Sequence, residues 1–239
     1  MNPPAADDAK EPNSLTPEGM KFVTAKLEAM EPTAVVVAAY IALHAGLRCS
    51  EVCALRWSDI DFDAETISVH KAIGFTAGGC YEKNRTKTGK ARVIDFDSEH
   101  MADLLKARRK LVQSERDNIT TDFEDLYVCG SFGGENFGNP SAISRNWLAL
   151  SREWELKGTT GERINFHALR HSYITAQLGN GANVRDVADN AGHASTQMTL
   201  NTYASSIREG KKKAAQLSGE YMRPDDDAEV LDFKTGTEG

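Results

Sequence analysis

Most of what would mark a membrane or secreted chain is missing from this sequence. No apolar run approaches the ~20 residues that a membrane-spanning helix requires, and the opening MNPPAADDAKEPN has neither the basic start nor the apolar stretch of a secretory signal. Membrane and secretory placements are therefore not expected. Only four cysteines occur in 239 residues, Cys49, Cys53, Cys80 and Cys129. They are too few and too irregular for a disulfide framework, and no Cys-x-x-Cys pair suggests a zinc site. A reducing, cytoplasmic compartment is the expectation. An internal repeat is lacking, as is any linker inside residues 16–220 long enough to divide them. An excess of positive charge is lacking too: the formal net charge is -7, which at first argues against a nucleic-acid partner.

The average conceals an uneven distribution. Residues 1–15 carry a net -2 and residues 221–239 a net -4, which leaves the body, 16–220, at -1. Both ends read as disordered acidic segments, since they combine proline, small residues and carboxylates with no period that could bury a face. Within the body, Lys83, Arg85, Lys87, Lys90 and Arg92 fall in ten positions without one acidic residue. Such a run is either a solvated face or a surface for an anionic partner.

With 40% apolar and 26% charged residues, the body can bury a sizeable core. Thr16-Pro17-Glu18 predicts a helix start, with Thr16 as cap, Pro17 at the first helical position and Phe22, Leu27 and Met30 on the apolar face. Residues Thr33 to His44 are apolar nearly all round and predict a helix buried on every side. A short helix is expected after Ser50. At Ile67-Ser68-Val69 the period changes to two, and further strands are expected near Tyr81–Arg85 and Arg92–Phe96, joined through Thr88-Gly89 as a hairpin that carries the cations. Helical stripes follow at Met101, Leu104, Leu105, Leu111 and Val112, and at Ile143, Trp147, Leu150 and Trp154. The last third predicts helices near 167–179, 183–191 and 196–217, with Gly179, Gly181 and Gly192 as punctuation. The expected class is mainly α with a small antiparallel β-sheet (α+β).

Chemistry concentrates in three separated segments. In Ala45-Gly46-Leu47-Arg48-Cys49-Ser50-Glu51 a glycine turn ends a buried helix and an arginine stands at the mouth of the next. A forked, permanently charged guanidinium can hold two oxygens of a phosphodiester, with Glu51 orienting it, or Arg48 and Glu51 are a plain ion pair. In Asn165-Phe166-His167-Ala168-Leu169-Arg170-His171, His167 and Arg170 lie three apart on one helical face and can address the same anion. His167 and His171 also have the i, i+4 spacing of zinc ligands, but Ala168 stands where a zinc protease of that pattern needs its glutamate. In Ala191-Gly192-His193-Ala194-Ser195-Thr196, Ser195 reads as the cap of a short helix whose far end delivers Tyr203.

The order Arg48, Lys87, His167–Arg170, His193, Tyr203, carried by AGLRCSE, the KTGK turn, FHALRHSYIT and AGHASTQMTLNTY, resembles the tyrosine recombinase (phage integrase) family over about 16–217. The departures are small: Ala191 stands where the family commonly has leucine, and Cys49 fills a variable place. The resemblance implies the catalytic-domain fold of the DNA breaking-rejoining enzymes, here without the helical core-binding domain that precedes it in the family. It implies site-specific cleavage and rejoining of double-stranded DNA, for integration or excision of a mobile element, through a 3′-phosphotyrosyl link. Arg48 and Arg170 would clamp the phosphate, His193 would donate to it, and Tyr203 would attack. Because a phenol ionises near pH 10, it needs help losing its proton, and His167 is the expected base. Lys87 is the expected acid for the leaving 5′-oxygen, with Lys83 and Lys90 near enough to compete. Lys83, Arg85, Lys90 and Arg92 would face the DNA backbone. No metal or other cofactor is expected. Tetramers on DNA are implied, with a monomer in solution left open, and DNA binding by this chain alone should be weak and salt-sensitive. The rival classes are a type IB topoisomerase, which uses a similar residue set in a longer body, and a zinc hydrolase built on His167, His171 and His193.

Overall fold

The computed structural model describes residues 12–83, 91–96, 100–116 and 121–223. Helix α1 (Pro17–Glu28) begins where the Thr16 hydroxyl accepts the Gly19 N–H at 3.1 Å, a cap that satisfies one of the orphan donors of a first turn. It buries Val23 and Leu27, while Phe22, expected inward, is exposed and meets Trp154 edge to face. Residues 13–15, expected in the linker, are packed: Ser14 and Leu15 are buried, and the Leu15 N–H donates to Ser172 Oγ at 2.8 Å.

Helix α2 (Ala34–Ala45) is the centre of the molecule, with nine of its residues buried. Its lack of any polar stripe is explained by its neighbours: α1, the short α3 (Cys49–Val52), α4 (His100–Ser114), α5 (Pro140–Glu153) and α6 (Phe166–Gly179) all pack against it. Trp147 of α5 and Leu105 of α4 are fully buried beside it. Helix α5 carries proline in its first turn behind an Asn139 cap, and Asn165 caps α6 by accepting the Ala168 N–H at 2.9 Å. No helix among the described residues is long and apolar enough to cross a membrane.

The strands form two small antiparallel sheets. In one, β2 (Thr66–Val69) lies between β1 (Ile60–Asp61) and β5 (Arg92–Asp95); in the other, β3 (Ala72–Thr76) pairs with β4 (Gly79–Lys83). The expected hairpin of 81–85 with 92–96 is thus replaced. Strand β5 pairs with β2, setting buried Ile94 opposite buried Ile67, and that burial outweighs the shorter loop closure of a local hairpin. Arg85, Lys87 and Lys90 lie outside the described residues.

The C-terminal third is α7 (Val184–Asn190), α8 (Thr196–Thr202) and α9 (Ala204–Tyr221). The single helix expected over 196–217 is broken at Tyr203, whose backbone (φ -123°, ψ 33°) is not helical. With Tyr173, Ile174, Leu178, Val187 and Ala191, Tyr203 forms a second, smaller core.

Candidate active site

Two glycine turns build the site. Gly46 ends α2 with φ 69°, and a Cβ there would stand 2.4 Å from the Tyr173 ring, so only glycine fits both the backbone and the space. Gly192 ends α7 with φ 62°: its N–H donates to Asp189 O and the His193 N–H to Ala188 O, the paired bonds of a Schellman closure. A Cβ on Gly192 would meet Arg92 Nη1 at 2.9 Å and Arg48 Nη1 at 3.3 Å.

The turns leave carbonyls that aim the arginines. Arg170 Nη1 donates to Gly46 O at 2.6 Å and its Nη2 to Ala191 O, while Arg48 Nη2 donates to Gly192 O at 2.9 Å. The sequence's two readings of Arg48 and Glu51 merge. The Arg48 N–H and Nη1 both donate to Glu51 at 2.9 Å, and Arg48 also lines the site cavity. Glu51 is buried and serves a second cation: Arg92 Nη1 and Nη2 reach its two oxygens at 3.1 and 2.8 Å, while Arg92 Nε donates to Asn190 O at 2.7 Å. Arg92, expected on the DNA-facing surface, therefore has a largely buried side chain, 9% exposed, engaged as an internal brace. Lys83 is exposed, its ammonium 5.5 Å from the centre of the Tyr81 ring.

Arg48, His167, Arg170, His193 and Tyr203 line one cavity of about 280 Å³, together with His171, Met198 and Thr202. Five of the six expected catalytic residues meet there, and the sixth, Lys87, lies outside the described residues. Around it three guanidinium groups, Arg48, Arg92 and Arg170, answer one carboxylate, so the site holds surplus positive charge suited to an anion. The charges perturb one another. Burial would raise the Glu51 carboxyl, but the bonds and charge of Arg92 and the charge of Arg48 hold it below its ordinary value. Burial, then Arg48, push Arg170 down to about 9. Burial and the nearby cations lower His167, and take His193 and His171 down to about 4. Burial raises the Tyr203 phenol, against the pull of Arg170.

Two partners were not anticipated from sequence. His193 Nδ1 bonds Thr199 Oγ1 at 2.7 Å, and when Thr199 donates, the ring proton sits on Nε2. His171 Nδ1 bonds the Tyr203 hydroxyl at 2.5 Å, with its ring edge-on to His167. The His171–Tyr203 contact spans 32 positions, with only the adjacency of His171 to Arg170 as a hint, and the His193–Thr199 contact spans 6. Ser195 does precede α8 but makes no side-chain cap bond. Among the described residues no group of three or more His, Cys, Asp or Glu is placed to hold a metal ion.

The depressed imidazoles carry a measurable consequence. Near pH 4 when folded and near 6.5 when free, His171 and His193 bind protons in the unfolded chain that the folded chain refuses, so stability is lost as pH falls through that interval. The melting temperature should be level above about pH 6.5 and decline from there toward pH 4. A melting temperature that rises on acidification across that interval would contradict the burial of these rings among cations.

Fold and site together define a class: a mainly helical domain in which guanidinium groups and a buried phenol line one cavity. Comparison with known proteins narrows it, for a model of the phage integrase family matches residues 15–209, and the chain belongs to that family. It is 29% identical to the tyrosine recombinase XerA of Thermococcus onnurineus, over 73% of this chain and 53% of the relative. It is 31% identical to the tyrosine recombinase XerC of Pediococcus pentosaceus, over 64% of this chain and 44% of the relative. The chain thus spans about half the length of these curated relatives. In fold it matches the Tn1549 transposon integrase in complex with transposon right end DNA, with a TM-score of 0.66 and 21% identity over 88% of this chain and 67% of that one.

Proposed function

We propose that this chain is the catalytic domain of a site-specific DNA recombinase that cleaves and rejoins double-stranded DNA through a 3′-phosphotyrosyl intermediate. One observation carries the reading: the Tyr203 phenol lines the same cavity as the two guanidinium groups held by glycine-turn carbonyls. A phosphodiester repels nucleophiles, and attack concentrates charge on its nonbridging oxygens. Arg48 and Arg170 neutralise those oxygens, and His193, with its proton on Nε2, donates a further bond. Tyr203 attacks phosphorus while the bond to the 5′-oxygen breaks. That oxygen takes a proton from Lys87, with Lys83 and Lys90 as the alternatives on the same segment. His167 is exposed and lines the same cavity. Arg85 and Lys90, with exposed Lys83, supply charge toward the backbone, and assembly as a tetramer on DNA supplies the second duplex.

The zinc-hydrolase reading is not favoured, since the family that matches is the phage integrases and, among the described residues, no group of three or more His, Cys, Asp or Glu is placed to hold a metal ion. Exchange of strands between two duplexes, as opposed to relaxation alone, separates a recombinase from a type IB topoisomerase. The direct test is a duplex nicked next to the cleavage site, so that the short released piece diffuses away and traps the intermediate. The expected result is a covalent protein–DNA band on a denaturing gel that is absent in Tyr203→Phe. A band of undiminished intensity in Tyr203→Phe overturns the proposal.

A further inference from the structure

The buried hydroxyl of Tyr203 has a partner that its proposed role has so far left idle. We infer that His171 accepts the Tyr203 proton during cleavage, so that it, and not His167, is the base for the nucleophile; the inference rests on the recombinase reading above.

The geometry favours His171. Its Nδ1 stands 2.5 Å from the Tyr203 oxygen, within direct transfer distance, and both residues line the catalytic cavity. His167, one turn earlier on α6, makes no hydrogen bond to Tyr203; it is exposed and faces His171 ring to ring at 4.5 Å between centres. Tyr203 is 3% exposed in the small core between α6 and α9, so solvent has poor access to its proton. The break between α8 and α9 falls at Tyr203 itself.

The charged environment decides the state of the base. From α6, His167 and Arg170 face His171; His193 faces it from the turn after α7, Arg48 lines the same cavity from the turn before α3, and Glu209 of α9 lines the cavity behind Tyr203. Burial first, then the neighbouring imidazoles and the Arg170 charge, keep the His171 imidazole neutral at physiological pH, with the Nδ1 lone pair free to take the proton. Transfer must be coupled to attack, because a phenol oxygen loses its basicity as it bonds to phosphorus. The phenol O–H bond breaks, its proton goes to His171 Nδ1, and the oxygen's electron pair forms the bond to phosphorus. The bond from phosphorus to the 5′-oxygen breaks, and that oxygen takes its proton from the lysine. Rejoining reverses each transfer, and the imidazolium returns its proton to the departing phenolate.

The test uses the full chain and a pool of nicked duplexes of randomised sequence whose nicked strand ends in a 3′-p-nitrophenyl phosphate. That leaving group needs no protonation, so a lost lysine acid is not felt while a lost base is. Wild type should give a covalent adduct with a burst of p-nitrophenolate, at a rate nearly level from about pH 6 to 9. His171→Gln, which can still accept a hydrogen bond but cannot take a proton, should be slower by about 10²- to 10⁴-fold. Its rate should climb about tenfold per pH unit, because the phenol must then ionise unaided. His171→Ala should regain rate with added imidazole, and His167→Gln should keep the level profile. A His171→Gln rate close to or above wild type, an unchanged pH profile, or the climbing profile appearing in His167→Gln instead, overturns the inference and leaves the recombinase reading standing. Absence of any adduct from wild type overturns both.

Discussion

Replacing Arg170 with alanine is expected to slow formation of the covalent adduct by at least about 10²–10³-fold, the range for losing one donor to transition-state charge. The side chain is 2% exposed and does two jobs. It faces the cavity, and it ties the Gly46 turn to the Ala191 carbonyl that precedes Gly192. Alanine removes both and leaves two buried carbonyls without donors, at about 1–3 kcal/mol each. A fall in unfolding free energy of about 2–6 kcal/mol should therefore accompany the lost rate. Arg170→Lys separates the two. An ammonium keeps the charge and can satisfy one carbonyl, so its melting temperature should lie closer to wild type. It cannot fork across two phosphate oxygens, so the rate should remain depressed by roughly 10²-fold. A wild-type single-turnover rate in Arg170→Lys would contradict the assigned clamp.

The second large effect is on stability. Glu51 is 1% exposed and accepts four hydrogen bonds, two from Arg48 and two from Arg92. Glu51→Ala leaves the buried Arg92 guanidinium facing no carboxylate, and removing one partner of a buried pair costs about 3–5 kcal/mol. Glu51→Gln should recover little, since its amide turns a donor toward guanidinium donors. Denaturant unfolding checks both. A loss under about 1 kcal/mol, the size of an exposed pair, would show that Glu51 is not the common anchor of Arg48 and Arg92.

Which parts could be read in advance follows from how far apart the interacting residues lie. Helix α2 announces itself by being apolar on every face, and α1 by Thr16 and Pro17, because capping and periodicity are local. The proposed catalytic set is legible as ordered motifs, and five of its members share a cavity. Most of what escaped was long-range. Strand β3 was overlooked because Ala72-Ile73-Gly74 is buried without alternation. The partner of β5 is β2, through Ile67 and Ile94, 27 positions apart. Arg92 read as one more cation in a run, since nothing within the run hints that Glu51, 41 positions earlier, takes its fork. His171 read as a metal-spaced histidine because Tyr203 lies 32 positions on. Phe22 and Val23 exchange faces because a short amphipathic helix leaves its phase ambiguous by one residue.

The most direct measurement is mass mapping of the trapped adduct. Trypsin should release the peptide Asp186–Arg208, which contains Tyr203 as its only tyrosine. The expected result is a nucleotide joined through its 3′-phosphate to Tyr203, with the released strand bearing a 5′-hydroxyl. A nucleotide on any other peptide, or a 5′-phosphate linkage to the protein, would contradict the assignment of Tyr203 as the nucleophile in this cavity.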